Sequence, residues 1–244
     1  MTLRIIQFSD THFSKETISS DKLNPQKSVE ELIKLANINT PDPQIILVTG
    51  DLSHDGSPES YRRLANTLSK LQTPIYWLPG NHDNLVNIKD HFKGNRIFDN
   101  NVIIHQHWQI VLLNSVVSGE HAGFLKDEEL DHLESCLSAN PFHHTMVALH
   151  HHPIPMNREE IDLMALRNSE DLLRIIDHHE QVKIVTFGHV HENFYTKHNN
   201  VLYLGAPASG AYNYPKKMPG YRWIEVTQDG HATTGIFQLP DIQS

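Results

Sequence analysis

The chain has 244 residues, 39% of them hydrophobic and 20% charged, enough for one sizeable core in a single α/β domain, and no apolar run approaches the ~20 residues of a membrane helix. Its formal net charge of −9, from 29 acidic against 20 basic residues, argues against nonspecific nucleic-acid binding, which depends on neutralising phosphates with Lys and Arg. A lone cysteine, Cys136, excludes an internal disulfide and suits a reducing compartment.

Leu3–Phe8 (LRIIQF) is a short apolar run suited to a buried strand. The opening MTLRIIQFSD has one early Arg and too short an apolar stretch for a signal peptide, so a cytoplasmic protein is expected. Val29, Leu32, Ile33 and Ala36 fall at helical spacing. Ile45–Thr49 is apolar and β-branched, hence a strand, and it ends at Gly50-Asp51. Ser57-Pro58 reads as an N-cap followed by proline in the first turn, after which Tyr61, Leu64, Ala65, Leu68 and Leu71 line one helical face. Ile75–Leu78 is the next strand and ends in PGNHD. Val102–Ile104 and Ile110–Leu113 read as a pair of strands, and Asp127–Leu137 as a helix that buries Cys136 as an inert thiol.

Met146–Leu149 is a strand that runs straight into HHHP. Ser169–Ile176 reads as a helix, Lys183–Phe187 as a strand ending in GHVH, and Val201–Leu204, Tyr221–Val226 and Ala232–Phe237 as closing strands. Pro207–Gly220, with three prolines, two glycines and two consecutive lysines, is a loop rather than a boundary. Alternating strands and helices predict an α/β fold. With no repeats and no linker, residues 1–244 form one domain; self-association as a homo-oligomer is left open.

The chemistry collects at strand ends. Asp10 and His12 follow the first strand and Asp51 the second; Asn81 and His82 follow the third, the His150–His152 triplet the sixth, and His189 and His191 the seventh. In α/β sheets ligands bind at that edge. Any one of these groups has a plainer reading: a turn aspartate, a helix cap, a surface histidine. Even a total of 19 histidines is weak evidence by count alone. Five strand ends delivering such groups together is what carries a metal reading. Carboxylates mixed with imidazoles, without thiolates, suit Mn, Fe or Zn rather than Ca or a structural zinc. Seven groups are too many for one ion that stays open to substrate, whereas two ions share them if one carboxylate bridges. Within the triplet, His150 and His152 share a face of an extended chain and His151 points away, so geometry leaves the choice of ligand open.

The ordered set D-x-H, G-D, G-N-H-D, H and G-H-x-H, spread over Leu3 to about Leu204, resembles the calcineurin-like metallophosphoesterases. GNHD, LHHHPIP and LRNSEDL (Leu166–Leu172) look most like the bacterial cyclic-AMP phosphodiesterases, the class III cyclic nucleotide phosphodiesterases. The resemblance implies a four-layer α/β/β/α sandwich with a dinuclear site at the strand C-terminal ends. It implies two divalent ions, iron and manganese ahead of zinc. Asp10, His12, Asp51 and His191 would hold one; Asp51, Asn81, His150 and His189 would hold the other, with Asp51 bridging. It also selects His150 from the triplet, leaving His151 to pack or hydrogen-bond nearby and His152 to lie beside the substrate or behind the ligands. There are two departures: Asn114 stands where similar proteins often have Asp, and the segment GAPASGAYNYPKKMPGYR looks shorter than its counterpart.

The implied reaction is hydrolysis of a 3′,5′-cyclic nucleotide, cyclic AMP to 5′-AMP, by a metal-bridging hydroxide attacking in line. Asp51 and His82 are the catalytic candidates; His82, adjacent to ligand Asn81 but itself free, would protonate the leaving oxygen. Asn81, His82, His191 and His12 are expected against the substrate. Asp55 would orient His82, or more plainly serve as a turn carboxylate. The rivals are another phosphodiesterase or phosphomonoesterase of the same kind, and a noncatalytic metal-binding scaffold. Against the first, UDP-diacylglucosamine hydrolases usually carry Arg where His82 sits, and a nuclease should show a basic track. Against the second, scaffolds usually lose ligands, and all seven are present here.

Overall fold

The computed structural model describes residues 2–16, 24–210 and 218–240. Two six-stranded sheets lie at its centre. The first comprises β1 (Thr2–Phe8), β2 (Ile45–Thr49), β3 (Ile75–Leu78), β4 (Ile97–Phe98), β11 (Gly220–Thr227) and β12 (Ala232–Gln238), in the order β12–β11–β1–β2–β3–β4. The second comprises β5 (Val102–His105), β6 (Trp108–Leu112), β7 (His144–Leu149), β8 (Val182–Phe187), β9 (Phe194–His198) and β10 (Val201–Gly205), in the order β5–β6–β7–β8–β10–β9. β1, β2, β3 and β4 run parallel, as do β6, β7, β8 and β10, while the remaining strands are antiparallel neighbours.

Helices cover both outer faces: α1 (Pro25–Asn39) and α2 (Pro58–Leu68) on the first sheet, α4 (Asp127–Ala139) and α6 (Ser169–His178) on the second. Strand residues serve alternate faces. Ile6 and Val48 pack outward under Leu32 and Leu64, while Ile5 and Leu47 turn inward to meet Met146 and Ile184 between the sheets. Val147 and Val185 complete the second outer core with Leu133 and Leu172. Burying each such side chain contributes roughly 1.5–3 kcal/mol. The result is the α/β/β/α layering that the resemblance implies.

Both early helices start as the sequence dictates. Asn24 and Ser57 accept from the N–H groups of Lys27 and Ser60, and each is followed by proline. Four elements have no sequence signal: α3 (Leu85–His91), α5 (Glu159–Asp162), β4 and the edge strand β9. α3 buries only Ile88, so no apolar stripe marks it, and α5 buries no residue.

A buried polar bridge joins the sheets beneath the site. Gln7 Nε2 donates to Thr49 Oγ1 at 2.9 Å and to the Phe187 carbonyl at 3.2 Å, and Thr186 Oγ1 donates to Gln7 Oε1 at 2.6 Å. Buried Arg222 ties β11 to the second sheet through the Gly205 carbonyl at 2.8 Å and Asn193 Oδ1 at 2.5 Å. Fully satisfied buried networks of this kind fix one arrangement of the layers. Of the Pro207–Gly220 loop, residues 211–217 lie outside the described residues.

Candidate metal centre and active site

Each candidate ligand sits just past the C-terminal end of β1, β2, β3, β7 or β8. Parallel strands ending side by side leave little room, and the chain turns sharply. Asp10 (φ 52°), His12 (45°), Asp51 (48°), His189 (67°) and His191 (54°) all occupy left-handed backbone. For residues with a Cβ this costs on the order of 1–3 kcal/mol each and persists only where the surroundings enforce it. Here the loops brace one another: Asp10 N–H donates to the Gly50 carbonyl and His12 N–H to the Asp51 carbonyl, both at 3.0 Å, and Gly188 N–H donates to the His150 carbonyl at 3.1 Å. Gly50 has φ +89°, and a Cβ there would lie 2.2 Å from His150 Nδ1. Only glycine admits the imidazole.

Asp10, His12, Asp51 and His191 each present a donor atom within 4.8 Å of the others. His191 Nε2 stands 3.0 Å from Asp10 Oδ1 and 3.4 Å from His12 Nε2, and His12 Nε2 stands 3.8 Å from Asp51 Oδ2. Asp51 turns its other oxygen toward a second group, with His150 Nε2 3.5 Å from Oδ1. Asn81 Oδ1 is 3.2 Å from the same nitrogen. The His150 Nδ1–H donates to the Thr49 carbonyl at 2.9 Å, the arrangement that fixes a metal-binding imidazole with Nε2 forward. His189 joins this group with its ring 5.0 Å from that of His150, and its buried Nε2 has no hydrogen-bond partner among the described residues.

The other triplet members take different places. His151 does not point away from the cluster: its ring meets that of His150 edge-on at 5.0 Å and that of His189 at a tilt at 4.9 Å. Both its nitrogens are engaged, with Ser115 Oγ at 2.8 Å and the His121 carbonyl at 3.1 Å. His152 is buried behind His189, with Nε2 3.4 Å from Asp162 Oδ1. The chain is no longer a strand after Leu149, so face alternation does not carry through the triplet.

Electrostatics favours positive charge at this spot. Burial works to raise the Asp10 carboxyl, but His191 and His150 hold it at about 2. Burial likewise opposes the ionised Asp51, yet His150 and His12 keep it well below the ordinary carboxylate range. Burial holds His12 and His189 at about 3, as the neutral imidazoles a metal needs. Against its own burial, His150 is raised to about 9 by Asp51. Buried carboxylates aimed at one point, the neutral imidazoles of His12 and His189, and a His189 Nε2 without a partner among the described residues together fit a dinuclear divalent metal site.

A cavity of about 210 Å³ opens over this cluster, lined by His12, Asp51, Asn81, His82, His121, Ile161, Met164, His189 and His191 among others. His82 borders it with its ring. Its backbone N–H donates to Asp51 Oδ1 at 2.9 Å, its ring stacks on His54 at 5.3 Å, and its Nδ1 lies 3.4 Å from the His54 carbonyl. Asp55 does not touch His82; it accepts from Lys15 N, Ser57 N and Ser57 Oγ, as a turn carboxylate. Asn114 likewise serves a turn, accepting from Val116 N at 3.0 Å.

Sequence reasoning passes over three residues here. Asp83, the last residue of GNHD, is buried and accepts from Leu52 N, Ser53 N, Gly80 N and Tyr61 Oη at 2.9–3.1 Å, welding two ligand loops together. Burial and the charge of Asp51 raise it to about 6. His54 lies within the GDLSHDG motif, and only the tertiary fold reveals its stacking on His82. His121, in the loop between β6 and α4, carries no sequence signal; its Nδ1 lies 3.3 Å from Asn81 Nδ2.

The family model for calcineurin-like phosphoesterases matches residues 3–193. The chain is 34% identical to a 3′,5′-cyclic-nucleotide phosphodiesterase of Nostoc sp., over 98% of this chain and 94% of that one. It is 30% identical to the 3′,5′-cyclic adenosine monophosphate phosphodiesterase CpdA of Escherichia coli, over 98% and 90%. Among solved structures, a dimetal phosphatase from Danio rerio shares the fold, with a TM-score of 0.66 at 11% identity over 95% of this chain and 98% of that one.

Proposed function

This chain belongs to the calcineurin-like phosphoesterases, within them to the bacterial class III cyclic-nucleotide phosphodiesterase family, and from that premise we propose that it hydrolyses 3′,5′-cyclic nucleotides, cyclic AMP to 5′-AMP. That it is a metal-dependent hydrolase of this superfamily acting on phosphoesters follows from the family and the buried cluster. The cyclic-nucleotide step is supported by the similarity to cyclic-nucleotide phosphodiesterases over almost the whole chain; the two-ion step is supported by Asp51, which presents separate oxygens to two adjoining donor groups.

Two divalent ions bound there, iron or manganese before zinc, would supply hydroxide at neutral pH and neutralise charge on the phosphoryl oxygens. Asp10, His12, Asp51 and His191 would hold one ion, and Asp51, Asn81, His150 and His189 the other. The chain's own residues then do the remaining work. Asp83 fixes the loops that carry Asp51 and Asn81, and Ser9 Oγ, donating to Asp10 Oδ2 at 2.6 Å, aims that carboxylate. His12, His191 and Asn81 border the phosphate. With Nδ1 directed at the His54 carbonyl, His82 delivers a proton from Nε2 to the departing sugar oxygen.

The reading takes residues 1–244 as one metallophosphoesterase domain working in the cytoplasm. Among the described residues no helix is long and apolar enough to cross a membrane. A substrate panel of cyclic AMP, cyclic GMP and phosphomonoesters, with Mn and Fe supplied, tests it. Turnover of cyclic nucleotides above the monoesters is expected; monoester hydrolysis alone would overturn it.

A further inference from the structure

The 210 Å³ cavity over the cluster is small for a whole nucleotide, since small-molecule pockets run from ~300 Å³ upward. A phosphate held there must send its nucleoside elsewhere. One exit is built: a groove of about 960 Å³ shares Asn81 with the metal cavity and runs past Val86 and Val117 to Phe124 and Arg167. Its apolar side chains are unusually open. Val86 is 69% and Phe124 40% exposed, although both sit in an ordered frame. Phe124 N–H donates to the Ser115 carbonyl at 2.9 Å, and the neighbouring Gly123 exchanges backbone hydrogen bonds with the 165–167 segment. Arg167 lies over the Phe124 ring, its Cζ 5.9 Å from the centroid, and pairs with Glu120 at 2.8 Å.

We infer that this groove is the nucleobase subsite, with Phe124 as its stacking platform and Arg167 as its polar edge; the inference rests on the cyclic-nucleotide reading above. An exposed aromatic beside a phosphate site offers, on the face that Arg167 leaves free, a π-surface that any base can use. The guanidinium has only donors, so it meets acceptors on the base edge, the N7 of adenine among them. The occupant is the base of the cyclic nucleotide, adenine where the substrate is cyclic AMP. Phe124 and Arg167 determine specificity and do not touch the reacting phosphorus.

The metal-loaded enzyme tests this through Phe124→Ala and, from another wall, Val86→Glu. Both positions are exposed, and thermal melts verify folding. Loss of stacking should raise KM for cyclic AMP about 10–100-fold, with kcat little changed, as for binding that serves ground and transition states alike. Calorimetry should show 5′-AMP binding weakened by a similar factor and inorganic phosphate binding unchanged. Arg167→Met should raise KM for cyclic AMP in the same direction, with kcat little changed. If the wild type cleaves cyclic AMP but both groove variants keep its KM and 5′-AMP affinity, the subsite is refuted and the function stands. A wild type inert on every cyclic nucleotide removes the function and the subsite with it.

Discussion

Replacing His82 with alanine separates proton delivery from metal binding. The backbone N–H of His82, not its ring, donates to Asp51 Oδ1 at 2.9 Å, so the substitution keeps the bond that orients the shared carboxylate. The ring contributes stacking on His54 at 5.3 Å and a long contact of 3.4 Å to the His54 carbonyl. Losing them costs about 1 kcal/mol of stability, a few degrees in Tm. The effect on catalysis depends on the leaving group. A cyclic nucleotide expels a sugar alkoxide that needs a proton, whereas bis(p-nitrophenyl) phosphate expels a phenolate that departs unaided. General acids contribute about 10²–10⁴-fold, or roughly 3–5 kcal/mol of barrier at ~1.36 kcal/mol per decade. His82→Ala should slow kcat on cyclic AMP by that factor and on the aryl diester by less than about tenfold. Both rates are to be read at metal occupancy matched by elemental analysis. Equal losses on the two substrates would refute the acid role and leave His82 as a phosphate-binding group.

Asp51→Asn should weaken metal binding at both positions by elemental analysis, whereas His12→Ala should mainly empty one; a fully active Asp51 variant at low metal would contradict the bridging assignment. His150→Ala should lose metal, and His151→Ala should keep metal content near wild type, because both His151 nitrogens already have partners. Gly50→Ala drives a Cβ to 2.2 Å from His150 Nδ1, so metal affinity should fall with at least about 1–2 kcal/mol of stability in urea titration; an unaltered variant would contradict the close approach. Asp55 is held at about 2: burial works to raise it, but hydrogen bonds from Lys15 and Ser57 outweigh burial. Its folded value lies below the unfolded one, so its contribution is present above about pH 4 and lost as pH falls through 2. Discounted for exposure, Asp55→Asn should cost on the order of 1 kcal/mol at pH 7 and progressively less below pH 4; a difference that stays constant with pH would contradict this.

The layers of the fold were legible because each buried strand is a short apolar run and α1 and α2 carry clear stripes, that of α2 behind Ser57-Pro58. The candidate ligands were legible for a related reason. Parallel strands share one polarity, so residues after each strand necessarily gather at one edge, and Asp10, His12, Asp51, Asn81, His150, His189 and His191 do gather there. What stayed hidden depends on contacts between distant loops. Strand alternation sends His151 away from the cluster, yet the turn after Leu149 brings it against His150 and His189. Asp83 looks like a surface turn residue until four donors from three segments converge on it. α3 is held by its Asn84 cap, and α5 by Asp162, which accepts from Met156 N and Arg158 N, rather than by an apolar face of their own.

The central claim is that this cluster works as a two-ion centre on a phosphodiester. The most direct measurement is to strip the protein with chelator, titrate manganese back, and follow bound metal per chain together with the conversion of cyclic AMP. Saturation at two ions per chain is expected, with activity rising as the second ion binds and 5′-AMP as the product. Full activity at one ion per chain, or a chain that fills with two ions and cleaves no phosphodiester, would contradict it.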